Sequence, residues 1–281
     1  MTSWRETAYA KINLALHVRA RRDDGYHDIE TIFAFVDAGD VLEAVVADED
    51  SLTIDGEFGE GLPAGADNLV LRALASMRGM MGGARIPPLA ITLHKNLPVA
   101  AGLGGGSADA AALIRLVDRA FHVCGDNAEL VIANHHLGAD VGACIVSQTR
   151  LGSGTGWQLA MIDDADVRGM PVLLVNPRVP LATGPVFAGW NGTDRGALGA
   201  GSALAAAQGG RNDLELPAIT LCPEIDEVLA VLRAQLPLLA RMSGSGASCF
   251  ALFRSTAERD AAAARIADDH PEWWQMAAGI R

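Results

Sequence analysis

Lysine is almost missing from this chain. Of its 22 basic residues only Lys11 and Lys95 are lysine, and the rest are arginine. A chain that uses arginine elsewhere and keeps two lysines reads as needing a compact ammonium at those two places. Positive charge is scarce as a whole. The net charge of −12 excludes a general nucleic-acid binder, whose affinity comes from a basic surface. Cysteine amounts to Cys124, Cys144, Cys222 and Cys249, without metal-type spacing. These read as reduced core residues of a cytoplasmic protein. No apolar run reaches membrane-spanning length, because Gly, Pro or charge interrupts each one. Met1 to Tyr9 is polar and short, so no signal peptide is expected.

Several catalytic signatures are missing too. No Gly-Lys-Ser/Thr completes a Walker A loop. Ser107 stands where a dinucleotide fingerprint needs its third glycine. Ser243 and Ser245 lack the Gly-x-Ser-x-Gly frame of a hydrolase nucleophile, since Arg241 and Ser243 precede them by two residues. His135 and His136 are adjacent, so on a helix they point about 100° apart and share no metal. No internal repeat is found.

What is present centres on Leu97 to Asp109 and the apolar run that follows it to Phe121. Four of the five residues from Gly102 to Gly106 are glycine. Ser107 suits a helix N-cap and Asp109 a first turn. A glycine loop feeding a helix N-terminus offers free N–H donors and the positive end of the dipole, which together hold phosphate. Residues 152–156 and 244–246 are further glycine-rich candidates for close backbone approach.

Alternation predicts strands over Glu6–Arg19, Ile29–Val36, Val41–Val46, Ser51–Ile54 and Leu89–His94, with a turn at Asp37–Gly39. Helices are expected from Asn68 to about Met80, after the glycine loop, and over about Asn127–His136. Leu151–Gly156 reads as a turn. Polar Asp163–Gly169 reads as a boundary, which gives domains 1–163 and 164–281. Beyond it lie the strand Pro171–Val175, a candidate mobile loop at Thr193–Gly210, and helical stretches at Asn212–Leu216 and Pro223–Leu236. The strand Cys249–Phe253, a helix capped by Thr256, and the strand Trp274–Ile280 follow, with Trp273 and Trp274 as packing residues. Strands first and mixed elements after argue an α+β fold in two regions.

Three motifs then fall into one pattern: Ala10-Lys-Ile-Asn-Leu14, Pro98 to Asp109, and Met242-Ser-Gly-Ser-Gly-Ala-Ser248. Their order and content resemble those of the GHMP kinases, the superfamily of galactokinase, homoserine kinase, mevalonate kinase and phosphomevalonate kinase. Arg22-Asp-Asp-Gly-Tyr-His27, Ile29-Glu-Thr-Ile-Phe33, Asp40, Leu137-Gly-Ala-Asp-Val141 and Gly210-Arg-Asn-Asp-Leu214 are similar to the members that act on a cytidine diphosphate polyol in non-mevalonate isoprenoid synthesis. The resemblance implies a two-domain α+β GHMP fold. It has a β-rich N-terminal region, a phosphate loop before a helix, and an α/β C-terminal domain. It also implies ATP-dependent phosphorylation of a methylerythritol 2-hydroxyl, with Mg²⁺ accompanying ATP.

By the same resemblance, Lys11 and Asp140 are the catalytic pair. Asn68, Lys95, Asn96, Pro98, Ala101, Gly102, Leu103, Gly104, Gly105, Gly106 and Ser107 bind the nucleotide. Asn13, Tyr26, His27 and Phe187 bind the acceptor. No membrane partner is expected, and the oligomeric state stays open. The family's usual proline after Ala-Asp-Val is Gly142 here. Read locally, Asp140 and Asn68 also suit helix caps and Tyr26 and His27 also suit packing. Two other readings stand beside this one, a GHMP kinase of the homoserine or mevalonate type and a non-catalytic nucleotide-binding relative. The Tyr26-His27 turn argues against the first, and the presence of both Lys11 and Asp140 against the second.

Overall fold

The computed structural model describes residues 3–80 and 85–281. They form two compact units, neither contiguous in sequence. One comprises the described residues of Met1–Ala10, Ala38–Val99 and Gly104–Ser147; the other comprises Lys11–Asp37, Ala100–Leu103 and Gln148–Arg281. The two longest strands, β1 (Ser3–Arg21) and β2 (His27–Val46), pair with each other, and each has residues in both units. A single cut at Asp163 therefore does not coincide with these units. Residues 11–37, 100–103 and 148–163 group with the C-terminal residues.

In the first unit β3 (Ser51–Asp55) runs parallel to β4 (Leu89–His94), and β4 runs antiparallel to Val41–Val46 of β2. A parallel pair needs a crossover, which α1 (Leu69–Met80) lies on. In β4, Leu89, Ile91 and Leu93 are buried in alternation, as a strand with one covered face requires. The helix after the glycine loop, α2 (Gly105–Phe121), packs on α1 and on α4 (Val141–Val146), with α3 (Asn127–Asn134) against α4. Residues Ala108–Ile114 of α2 are all buried, so this helix lies inside its unit.

The expected turn at Asp37–Gly39 is instead continuous strand. A Cβ on Gly39 would stand 2.0 Å from the Ala8 carbonyl oxygen, so this glycine admits a neighbouring backbone and does not reverse the chain.

In the second unit β5 (Arg150–Gly154) pairs antiparallel with Ile29–Phe33 of β2 and with β6 (Gln158–Ala160). Leu151–Gly156 was expected to be a turn, but most of it is strand. Gly152 sits opposite Thr31, and a Cβ there would overlap the Phe33 ring. The C-terminal sheet has the order β10 (Trp274–Gly279), β7 (Pro171–Asn176), β9 (Cys249–Leu252), β8 (Leu239–Met242), antiparallel throughout. Helices α8 (Glu224–Ala234) and α9 (Thr256–Asp269) pack on it through Val228, Leu229, Leu232, Ala262 and Ile266. Ser255, not Thr256, caps α9 by accepting the Glu258 N–H. Helices α5 (Thr183–Ala188), α6 (Ala203–Gly209) and α7 (Glu215–Leu221) complete the unit. The expected mobile loop holds α6, and before that helix it is tied down by Arg19 on Asp194 and by the Leu198 N–H on Glu30.

Candidate active site

In the second unit part of each motif meets the others: Lys11–Asn13, Ala101–Leu103 and residues 243–248. Lys11 and Asn13 lie on the same face of β1, two residues apart, and both are buried. The Lys11 ammonium donates to Asn13 Oδ1 at 2.9 Å and lies 5.5 Å from the centre of the Phe33 ring. Asn13 Nδ2 donates to Thr31 Oγ1, which donates onward to the Ala15 carbonyl. The Lys11 N–H donates to Leu103 O, the Asn13 N–H to Ser243 Oγ, and Ser243 Oγ to Gly102 O. The Ser248 N–H donates to Ala101 O. Segment 101–103 is thus held through its three carbonyl oxygens by β1 and residues 243–248.

In the first unit the loop runs into α2. Gly104 is the N-cap, in the left-handed region at φ 66°, and α2 starts at Gly105. Ser107 is therefore inside the first turn and not its cap, because the glycine admits a conformation that a serine cap would not supply. Pro98 is buried. Lys95, just after β4, is buried and pairs with Asp40 of β2 and, at 2.8 Å, with Asp109 of α2. Asp40 Oδ1 also accepts the N–H groups of Asn96 and Leu97, and Asn96 Nδ2 donates to Gly39 O. Asn68 caps α1 through the Val70 N–H and bonds Pro63 O.

Asp140 occupies the N-cap position of α4, yet its side chain makes no capping bond to that helix. Gly142 stands two residues on, where a Cβ would be 3.0 Å from Val131 Cγ1. Val131 lies on α3, so a side chain at position 142 would press on that helix.

The Arg22–Tyr26 turn is locked by Arg22 on Asp24 and Asp28 and by the Tyr26 N–H on Asp24. It leaves Tyr26 61% exposed while His27 is buried. The His27 ring lies 5.1 Å from Phe187 and 5.8 Å, edge-on, from Trp190. Arg21 Nε donates to His27 Nε2 at 3.4 Å, and Arg21 Nη2 donates to Ala188 O and Trp190 O. Burial first, and the Arg21 charge second, hold the His27 pKa below its ordinary value. An open cleft of about 620 Å³ next to this cluster is lined by Arg19, Arg21, Ala188, Trp190 and Asn191.

The fold brings together Lys11, Asn13 and Ala101–Leu103, and separately His27 and Phe187. Sequence reasoning missed Arg21, Thr31 and Trp190. Trp190 follows Phe187 at helical spacing, which was the available signal. Among the described residues no group of three His, Cys, Asp or Glu side chains is placed to hold a metal. No helix among them is long and apolar enough to cross a membrane.

Comparison with known proteins identifies the family. The model described as GHMP kinases N terminal domain matches residues 68–148, and that described as GHMP kinases C terminal matches 193–272. The chain is 59% identical to a 4-diphosphocytidyl-2-C-methyl-D-erythritol kinase of Sphingopyxis alaskensis, covering 99% of this chain and 98% of that one. It is 42% identical to one from Brucella melitensis over 96% and 92% of the two chains. A crystal structure of 4-(cytidine 5'-diphospho)-2C-methyl-D-erythritol kinase superposes with a TM-score of 0.77 at 29% identity, covering 98% and 99%. Homoserine kinase from Cytophaga hutchinsonii shares the fold, with a TM-score of 0.71 at 16% identity over 100% and 95%. On these matches the chain belongs to the GHMP kinases, in the 4-diphosphocytidyl-2-C-methyl-D-erythritol kinase family.

Proposed function

We propose that this chain transfers the γ-phosphoryl group of ATP to the 2-hydroxyl of 4-diphosphocytidyl-2-C-methyl-D-erythritol, releasing ADP and the 2-phosphate. The step serves non-mevalonate isoprenoid synthesis. ATP enters as its magnesium complex, so the ion belongs to the substrate. The cytoplasm is the setting, and the four unbridged cysteines support it.

The observation that carries the choice of acceptor is His27 held between Phe187 and Trp190 beside an exposed Tyr26. A pyrimidine asks for a stacking face and an oriented edge partner. A small aliphatic acceptor such as homoserine or mevalonate asks for neither.

Phosphoryl transfer needs positioning and charge neutralisation more than covalent chemistry. The N–H groups of Gly102–Gly106 and Ser107 hold the triphosphate, with Pro98, Ala101 and Leu103 shaping the loop. Asn68, Lys95 and Asn96 serve the nucleotide side. Asp140 takes the proton of the acceptor hydroxyl as its oxygen bonds to the γ-phosphorus and the bond to the leaving ADP breaks. Lys11, oriented by Asn13, offsets the negative charge that develops on the transferring group. Asn13, Tyr26, His27 and Phe187 hold the acceptor.

A coupled ADP-release assay with the cytidyl substrate, homoserine and mevalonate tests this. Turnover is expected with the first alone, competitively inhibited by CDP. Turnover confined to an aliphatic acceptor overturns the reading.

A further inference from the structure

Lys95 is one of two lysines in the chain, and its ammonium sits between two carboxyl groups. Its side chain is 5% exposed, that of Asp40 0% and that of Asp109 5%. One positive charge thus faces two acids in a dry pocket. Burying an uncompensated charge is far costlier than burying a neutral acid.

The two acids are not equally served. Asp40 accepts from the Lys95 ammonium and from the N–H groups of Asn96 and Leu97, a donor set suited to a carboxylate. Asp109 Oδ2 accepts from Lys95 at 2.8 Å, and Asp109 Oδ1 has no partner. Two carboxyl groups that share one ammonium in a dry pocket favour a proton on one of them. Asp109 is the one to hold it. Burial raises the Asp109 pKa most, Lys95 opposes that, Asp40 adds to it, and the result is about 8. Burial alone would lower the Lys95 pKa, but the two acids outweigh it and keep the ammonium charged. Lys95, after β4, and Asp40, on β2, are the titratable groups acting on Asp109. The buried side chains of α1 and α4, which also pack on α2, are apolar apart from the Cys144 thiol.

This cluster lies directly under the phosphate loop. A Cβ on Gly105, the first residue of α2, would be 3.4 Å from Lys95 Nζ and 3.7 Å from Asp40 Oδ2. The N–H groups at that helix start have no acceptor within the helix and carry the positive end of its dipole. The net negative charge that ionisation of Asp109 leaves beneath them competes with a bound triphosphate for the same field.

We propose that Lys95, Asp40 and Asp109 form a positioning triad beneath the loop, neutral when Asp109 is protonated, and that ionisation of Asp109 weakens ATP binding at the head of α2. Lys95 on this view is a positioning residue whose ammonium acts from behind the loop. The inference rests on the reading of this loop as the ATP site.

The test is ATP affinity without acceptor, at saturating magnesium, for the intact wild-type chain and Asp109→Asn, at pH values on both sides of about 8. The ratio of the two dissociation constants cancels the titration of ATP itself. Wild-type affinity is expected to weaken relative to Asp109→Asn by about two- to five-fold as pH rises, the effect of one charge at a helix end. A ratio that stays constant with pH, with ATP bound normally, overturns the triad and leaves the kinase reading intact. A folded wild-type chain that binds no ATP at any pH overturns both. If Asp109→Asn fails to fold, carboxyl-carbon NMR of the wild type decides the matter. Titration of Asp109 near the ordinary value of about 3.9 overturns the proposal, and titration near 8 supports it.

Discussion

At Gly102 the loop has no room for a side chain. Its backbone is left-handed at φ +74°, and a Cβ there would stand 2.2 Å from Ser243 O and 2.9 Å from both the nitrogen and the oxygen of Gly246. These are main-chain atoms, so no change of rotamer relieves the overlap. Gly102→Ala then carries about 1–2 kcal/mol for an L-residue in the left-handed region. It carries about 1–3 kcal/mol more for prising packed atoms apart. The total of roughly 2–5 kcal/mol is a large share of a typical stability of about 5–15 kcal/mol. Gly106 supplies the contrast in the same loop, being exposed with nothing within 4 Å of its Cβ position. Gly106→Ala removes backbone entropy from the unfolded chain and gains up to about 0.5–1 kcal/mol. Urea unfolding is therefore expected to show the midpoint falling for Gly102→Ala and holding or rising for Gly106→Ala. Because Ser243 Oγ donates to Gly102 O, displacing Gly102 also disturbs the loop, and the KM for ATP should rise in Gly102→Ala. A Gly102→Ala protein with the wild-type midpoint and ATP KM would refute the packing argument.

Tyr26→Ala removes an exposed ring suited to stacking, so the KM for the cytidyl acceptor should rise about ten- to a hundred-fold while that for ATP holds; equal changes in both would make Tyr26 structural. Asp140→Asn should lower kcat by about 10²–10⁴ with ATP affinity retained. Lys11→Ala should lower kcat comparably, and the double variant should lose much less than the product of the two; additive losses in steady-state kinetics would place them in separate roles. His27 is held neutral to below its ordinary pKa by burial and then by Arg21, so the acceptor KM should stay level down to about pH 6.5 and rise only below it. Arg21→Gln removes a positive charge and should move that rise to higher pH, and an unmoved profile would count against Arg21 as the cause.

Elements with a single covered face were legible. Leu89–His94 alternates cleanly and is β4 residue for residue, and Asn68 caps the helix expected after it. Glycine was ambiguous, because one residue type answers three needs. Gly104 does adopt the left-handed cap conformation, whereas Gly39 admits the Ala8 backbone and Gly152 admits the Phe33 ring. Only the folded chain tells these apart. The grouping of residues into units was not legible either, since β1 and β2 belong to both and no change of composition marks where either passes between them. The aromatic cluster was half legible. His27 and Phe187 carried a family resemblance, but Trp190 comes to His27 through tertiary packing across more than 160 positions of sequence, and Arg21, six residues away, carried no signal of its own.

The scarcity of lysine, set against two buried partners, is the point at which composition and geometry converge. Lys11 reaches Asn13 Oδ1 and the Phe33 face, and Lys95 reaches Asp40 and Asp109, each from a strand or its end and each nearly sealed from solvent. Both ammonium groups are buried with short-range partners. Arginine in this chain is used differently. Arg19 lies across Glu30 and Asp194, Arg78 forks onto Asp50, and Arg115 spreads over Glu6, Thr7 and Cys144. The guanidinium suits these flat or multiple acceptors, and the ammonium suits an enclosed vertex. A compositional pressure toward arginine would therefore leave lysine behind just where the pocket is closed and its partners converge. In this chain those two places are the strand that carries the catalytic candidate and the floor of the glycine loop.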